Sequence, residues 1–233
     1  MNLGHTLNIN NNVAFNNLSL LFNGSTQYGV LDAAAGDIDT DNGTYSIWIK
    51  FNGASSNNDN FIGASVGVGT NNQIKMFYLT ATEVFRFLYK AGGTGKYVDI
   101  STDAETTQNW THLAMTWDTD ADELKAYVNG SQVGSTVGSL GTWSGTIDTI
   151  TVGKNPIADN TYFIGYIDEI SIFDEVVNIS NLYNSGNIIN LTGMTGLVGY
   201  YKLDIEGRDV LDYSGKGNTG SLVNTPTYST ETP

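Results

Sequence analysis

The sequence contains no cysteine, and it has little proline and little positive charge. Without cysteine, neither a disulfide nor a thiolate metal site can support the fold, so a hydrophobic core must stabilise it. Only 10 Lys and Arg stand against 24 Asp and Glu, which gives a net charge of -14. This charge repels phosphate backbones and anionic lipid headgroups. We therefore expect neither nucleic acid nor a membrane surface as a partner.

Long hydrophobic runs are also missing. No apolar run approaches the ~20 residues that span a bilayer, so no transmembrane segment is expected. Residues 1–12 are polar and show neither the basic region nor the apolar region of a secretory signal peptide. The sequence alone leaves open a cytoplasmic protein, a fragment of a longer chain, or a component of a virus particle that lysis releases.

Short apolar runs between turn-forming residues are abundant. Runs of Val, Ile, Tyr and Phe alternate with clusters of Gly, Asn, Asp and Ser, and the chain has 27 Gly. This texture is typical of antiparallel β-structure. Ile179, Leu182 and Tyr183 stand at helical spacing. The sequence predicts an all-β, two-sheet antiparallel sandwich with one short helix near residues 178–185.

The stretch 162–174 reads as a long strand with a defect in its middle. Ile167 belongs to one face of a two-residue period, whereas Ile170 falls on the opposite parity. A continuous core face requires an extra residue near Asp168 and Glu169. The pattern therefore predicts a β-bulge at this carboxylate pair.

Six segments, taken in their order along the chain, resemble the laminin-G-like branch of the concanavalin A-like jelly-roll superfamily. The resemblance covers roughly residues 18–185 and implies a jelly-roll sandwich. It is carried by Leu18-Ser19-Leu20-Leu21-Phe22-Asn23-Gly24-Ser25, Tyr45-Ser46-Ile47-Trp48-Ile49-Lys50, Trp110-Thr111-His112-Leu113-Ala114, Leu124-Lys125-Ala126-Tyr127-Val128-Asn129-Gly130, Ile150-Thr151-Val152-Gly153 and the stretch 162–174.

The C-terminal tail resembles the part of such domains that usually precedes the first strand. Either the domain is circularly permuted, or the tail is an incomplete second copy. We favour permutation, because a tail of about 40 residues could hardly bury a core alone. We predict an N-terminal arm at residues 1–17 and a single laminin-G-like domain at 18–233, in which residues 190–233 complete the sandwich.

Catalysis is not expected. Glycosidases need two carboxylates that face one groove, but Asp168 and Glu169 are adjacent and would point to opposite faces of a regular strand. The Glu-x-Asp-x-x-Glu pattern of laminarinase-like relatives is absent. The resemblance implies structural roles for this pair and for His112, which matches the family's Trp-x-His pattern. A glycoside hydrolase or polysaccharide lyase remains an alternative.

Calcium is a candidate cofactor. Asp37, Asp39 and Asp41 place carboxylates on alternate residues of a loop, which suits a hard cation. The loop is not an EF-hand, because Gly43 comes one place late and Trp48 stands where the closing Glu would be. Laminin-G-like domains frequently hold calcium at loop edges. The other interpretation is plain solvated charge.

Aromatic residues outside the predicted core suggest sugar recognition, since sugar faces stack on aromatic rings. Trp48, Trp110 and Tyr127 share the non-core parity of their strands, and Trp143 and Tyr162 lie in or beside loops. We predict that these residues bind a glycan. The alternative is that Trp48 and Trp110 are covered by other elements or by the tail.

By elimination, the sequence indicates a recognition or surface-display module. The expected ligand is a glycan or host-surface polysaccharide. The expected setting is a virion surface, as in a bacteriophage decoration or fibre protein whose arm contacts other virion proteins. A homo-oligomer is compatible with that role. A secreted or cell-surface lectin-like adhesion domain is the alternative.

Overall fold

Alternating apolar and polar residues build two antiparallel sheets of eight strands each. The computed structural model describes residues 17–53, 58–101 and 109–233. The predicted two-sheet β-sandwich is confirmed, and the predicted short helix is present as α1 (Ile179–Tyr183). The predicted arm, residues 1–17, lies outside the described residues except for Asn17.

The strands are numbered along the chain. They are β1 (Ser19–Asn23), β2 (Tyr28–Val30), β3 (Asn42–Phe51), β4 (Asp59–Ser65), β5 (Gln73–Leu79), β6 (Val84–Ala91), β7 (Thr94–Ser101), β8 (Thr111–Asp118), β9 (Glu123–Val128), β10 (Ser131–Val137), β11 (Thr149–Val152), β12 (Ile164–Phe173), β13 (Leu197–Tyr201), β14 (Asp209–Val210), β15 (Gly220–Val223) and β16 (Thr227–Ser229). A short 3-10 helix, Asp32–Asp37, links β2 to β3.

Sheet A has the strand order β10-β9-β8-β3-β12-β1-β16, and β13 also pairs with β12. Sheet B has the order β14-β15-β2-β11-β4-β5-β6-β7. The tail therefore supplies strands to both sheets. Whether this arrangement arose by circular permutation stays a prediction.

The core between the sheets contains a cluster of aromatic rings. The ring centroid of Phe51 lies 6.0 Å from that of Phe61 and 5.5 Å from that of Phe163, both nearly edge to face. Tyr78 and Phe85 join the same cluster. Such rings bury large apolar areas and lock the two sheets together.

The predicted β-bulge is confirmed in β12. Asp168 lies opposite Trp48, and Ser171 lies opposite Ser46, so two residues of β12 stand against one residue of β3 between these pairs. Glu169 has a φ of 46°, which is uncommon for a residue other than glycine. The extra residue returns the apolar side chains of β12 to the core face.

A second, smaller apolar cluster lies on the outer face of sheet A. Helix α1 and the segment that follows it contribute Ile179, Leu182 and Leu191, which pack against Phe173 and Tyr200. Asn178 caps α1, because its side-chain Oδ1 accepts a hydrogen bond from the Ser180 amide. Helix α1 therefore closes this face of the sandwich.

None of the helices in the described part of the chain has the length and apolar character to cross a bilayer.

Candidate functional site

Trp48 lies on the outer face of sheet A, beneath helix α1. Only 6% of the residue is exposed. Its ring stacks on Tyr183 with centroids 5.8 Å apart, and the ring of His112 lies 5.2 Å away on another side. This packing does not support Trp48 as a platform for a ligand, and its role in binding stays a prediction. The alternative, that other elements cover this residue, holds because an exposed indole and an apolar helix gain free energy by burying each other.

Polar side chains lie buried next to Trp48. Ser46 Oγ is 2.7 Å from His112 Nε2, and the Tyr200 hydroxyl donates to Glu169 Oε2 at 2.6 Å. Burial raises the pKa of Glu169 to about 8 and lowers the pKa of His112 to about 4. Asp168 Oδ1 accepts the Glu169 amide at 2.9 Å. Both carboxyls are buried, and their structural role stays a prediction.

Trp110 and Tyr127 also lie on the outer face of sheet A. Both are half-buried. The ring of Trp110 is 6.2 Å from that of Tyr166, and Tyr127 packs against the apolar cluster under α1. The two residues therefore share one face of the sheet, but Tyr127 packs against the cluster under α1 and Trp110 packs against Tyr166.

Trp143 and Tyr162 lie elsewhere. Trp143 Nε1 donates to the Gly145 carbonyl at 3.0 Å, and the indole packs 5.9 Å from the ring of Tyr89. Tyr162 lies 6.3 Å from the ring of Tyr28. Both side chains are half-buried. The aromatic residues predicted as one ligand-binding set are therefore spread over several parts of the molecule.

The predicted calcium ligands have other partners. Asp37 Oδ2 accepts a hydrogen bond from Asn218 Nδ2 at 2.8 Å, and Asp39 Oδ1 accepts the Asp41 amide at 2.8 Å. No group of three or more His, Asp or Glu side chains suited to a metal ion occurs among residues 17–53, 58–101 and 109–233. The geometry does not support Asp37, Asp39 and Asp41 as one calcium site. Calcium binding by this chain stays a prediction.

The outer face of sheet B combines aromatic, apolar and basic side chains. Lys75, Leu88 and Tyr97 form one row across β5, β6 and β7. They have the opposite parity to Ile74 and Met76, which point into the core. Tyr97 is 47% exposed, although it is a large aromatic residue. This row has the mix of ring surface and polar groups that small-ligand sites use.

The neighbouring row on this face is fixed by an ion pair. Phe77, Arg86 and Asp99 lie opposite one another across the same strands. Arg86 donates Nε and Nη2 to the two carboxylate oxygens of Asp99 at 2.7 and 2.6 Å. The guanidinium carbon lies 3.9 Å from the ring centroid of Tyr97. Arg86 therefore holds the exposed tyrosine ring in place.

Lys75 is almost enclosed on this face. It is 7% exposed, and its Nζ lies 5.0 Å from the ring centroid of Phe77. Gly63 leaves room for it, since a Cβ on that glycine would come within 2.9 Å of both Lys75 Cγ and Pro156 Cδ. Burial, followed by the charge of Lys90, lowers the pKa of Lys75 to about 8.

Sequence reasoning missed this face, although one signal was present. In strand β5, Lys75 and Phe77 stand two residues apart and share the parity that should face solvent. Arg86 and Lys90 have the same outward parity on the next strand. In a chain with only 10 Lys and Arg, this local concentration of basic side chains is a usable clue.

A family model describes what this chain is related to. The model of the concanavalin A-like lectin/glucanases superfamily, Laminin_G_3, matches residues 23–181. The chain belongs to this superfamily. The resemblance that the sequence motifs indicated is thereby confirmed. No curated protein matches the chain.

Solved structures share the fold of this superfamily member at low sequence identity. A proposed carbohydrate binding protein from Bacteroides ovatus ATCC 8483 is 19% identical with a TM-score of 0.64, over 91% of this chain and 59% of that one. The CBM40 of the Ruminococcus gnavus IT-sialidase, bound to alpha2,3 sialyllactose, is 15% identical with a TM-score of 0.58, over 71% and 95%. A heptameric SAP-like pentraxin from Limulus polyphemus is 14% identical with a TM-score of 0.54, over 93% and 95%. The chain thus spans 59% of the length of the Bacteroides protein.

Proposed function

We propose that this chain is a non-enzymatic carbohydrate-recognition module whose ligand binds on the outer face of sheet B. The observation that carries the proposal is the ring of Tyr97, which is 47% exposed, is held by Arg86, and lies in the same cross-strand row as the nearly buried Lys75. A pyranose can stack on a fixed aromatic ring, while neighbouring polar groups bind its hydroxyls. Because Arg86 already holds the ring, binding costs little side-chain entropy.

The positions of the carboxyl groups support a role in binding and argue against a role in catalysis. Asp168 and Glu169 are buried, at 0% and 5% exposure, so neither reaches a sugar on the surface. On the outer face of sheet B, both oxygens of Asp99 bind Arg86. A glycosidase of either stereochemical type needs a proton donor and a second free carboxylate beside the scissile bond. A hydrolase or lyase would show itself by releasing reducing sugar from a polysaccharide.

Two of the structural neighbours support a glycan as the ligand. One is named as a proposed carbohydrate binding protein, and the other is a sialidase CBM40 bound to sialyllactose. At 19% and 15% sequence identity, the likeness establishes only a shared fold. That this chain binds a glycan is our proposal. The setting stays a prediction as well, whether a virion surface with arm contacts and a homo-oligomer, or an extracellular adhesion domain.

A glycan array, read with and without EDTA, tests the proposed function. We expect binding to at least one glycan class, with an affinity about five- to tenfold lower for Tyr97→Ala because a stacked ring is lost. Tyr166→Ala is the matched control, since Tyr166 is a half-buried tyrosine on the outer face of sheet A. Equal losses in the two variants would remove the outer face of sheet B from the proposal. Loss of binding in EDTA would revive the calcium prediction.

A further inference from the structure

Lys75 differs from the other basic residues of the chain in being buried without an anionic partner. Lys50 pairs with Glu231 at 2.7 Å, Arg86 pairs with Asp99 at 2.6 Å, and Lys154 pairs with Asp159. Lys75 takes part in none of the ion pairs within residues 17–53, 58–101 and 109–233. It is the only lysine among the buried residues of those ranges.

An ammonium group in such a position is costly unless something binds it. Transfer of a charged group out of water is strongly unfavourable, and the ring of Phe77 compensates for only part of it. The positive charge of Lys90 adds repulsion. An anion bound at Lys75 would offset both the cost of burying the charge and the repulsion from Lys90.

The ammonium remains within reach of a ligand. The residue keeps 7% of its surface exposed and is therefore not sealed off from solvent. The Cγ of Lys75 and the ring of Pro156 both lie over Gly63, where a Cβ would come within 2.9 Å of each, so the lysine stem runs across this glycine. Tyr97 occupies the same row two strands away, with Leu88 between them. A sugar ring over Tyr97 and Leu88 could therefore direct a substituent toward Lys75.

We propose that Lys75 binds the carboxylate of an acidic sugar, and that the outer face of sheet B therefore selects hexuronic or sialic acids over neutral sugars. The inference rests on the proposed function of this face. It explains why a protein with a net charge of -14 buries an uncompensated lysine there. Arg86 is a poorer candidate for this role, because Asp99 already occupies its guanidinium.

Isothermal titration calorimetry with matched pairs of probes tests the selection. The pairs are glucuronic acid against glucose, and sialyllactose against its carboxyl methyl ester, so that each pair isolates the carboxylate and the two pairs distinguish its source. We expect the wild-type protein to bind at least one acidic probe about 10- to 100-fold more tightly than its neutral partner, as a charge-assisted hydrogen bond allows. Lys75→Gln should abolish this preference. Lys216→Gln, which removes the same charge at an exposed position, should leave it unchanged.

The outcomes separate the two proposals. Equal affinity for the acidic and neutral probes, or an acid preference that survives in Lys75→Gln, overturns the role of Lys75 and leaves carbohydrate recognition standing. Absence of binding to every probe and to every glycan on the array overturns both. If Lys75→Gln fails to fold, lysine side-chain NMR of the wild-type protein decides. The Lys75 resonance should shift with the acidic probe alone, and a shift equal to that with the neutral probe contradicts the proposal.

Discussion

Glu169→Gln is expected to become more stable relative to the wild-type protein as the pH rises from 5 to 8, by roughly 3 kcal/mol. The cause is the buried position of the carboxyl group, which raises its pKa from 4.5 to about 8. Burial outweighs the opposing hydrogen bond from Tyr200, and Asp204 and Lys202 contribute smaller effects of opposite sign. Glutamine keeps an oxygen for the Tyr200 hydroxyl but has no charge to bury.

The direction follows from proton binding in the two states. Between pH 4.5 and about 8 the folded protein holds a proton on Glu169 that the unfolded chain has released. The free energy of unfolding that this group contributes is therefore fully present below pH 4.5, and it declines as the pH rises toward 8. The variant lacks this titration, so the difference between the two proteins isolates it.

His112 acts in the opposite direction in the wild-type protein. Burial lowers the pKa of His112 from 6.5 to about 4, so the unfolded chain binds the extra proton between these values. The free energy of unfolding that His112 contributes therefore increases as the pH rises from about 4 to 6.5. Below pH 6.5 the two groups offset each other in part, and above it His112 no longer contributes.

Urea denaturation at pH 5, 6, 7 and 8 measures the difference directly. Glu206→Gln, a substitution of an exposed carboxylate, is the control and should show little change across the series. A difference between Glu169→Gln and wild type that stays constant from pH 5 to pH 8 would mean that Glu169 is ionised in the folded protein. The burial argument would then fail, and the case against a catalytic carboxyl would weaken with it.

Local patterns were sufficient to predict the fold. The two-residue alternation gave the strands, helical spacing gave α1, and a single slip of parity located the bulge at Glu169. These signals are local because a strand or a short helix exposes its faces at fixed intervals along the chain. The sandwich then follows from the need of each sheet to bury one face.

The site depended on contacts that local patterns do not contain. Outward parity of Trp48 fits an exposed sugar platform and a residue covered by a helix equally well, and only the packing of Tyr183 on its ring decides between them. Lys75 would read as an ordinary surface lysine. Its stem lies over Gly63, and so does Pro156, which comes from a distant part of the chain.

The acidic loop shows the same limitation. Alternating carboxylates at Asp37 and Asp39 resemble a metal loop in sequence, yet Asp37 binds Asn218, which stands 181 residues further along the chain. That partner belongs to the C-terminal tail. Asn218 also donates to the Val198 carbonyl at 2.9 Å, so one amide joins the tail to this loop and to β13. Asp37 therefore helps to anchor the C-terminal tail through Asn218, and its place in an alternating acidic pattern does not by itself indicate a metal site.

Gly43→Ala is expected to lower the free energy of unfolding by about 3 kcal/mol. A Cβ at this position would overlap the indole of Trp117, which is fully buried. The indole cannot easily move, because its Nε1 donates to the Asp39 carbonyl at 3.2 Å and its ring packs edge to face on Tyr45, 5.0 Å away. The glycine that follows the acidic loop thus serves the packing of a tryptophan, which explains why it stands one place away from the position that a calcium loop requires.

Urea denaturation of Gly43→Ala against Gly36→Ala tests this explanation. A Cβ on Gly36 would meet no atom within 4 Å, so that substitution should change stability by less than about 0.5 kcal/mol. Near-equal losses in the two variants would show that Trp117 yields and that the packing argument is wrong. Addition of calcium should restore neither variant. A calcium-dependent recovery of Gly43→Ala would instead tie this glycine to a metal site, because an ion that binds the folded state raises the stability with the logarithm of its concentration.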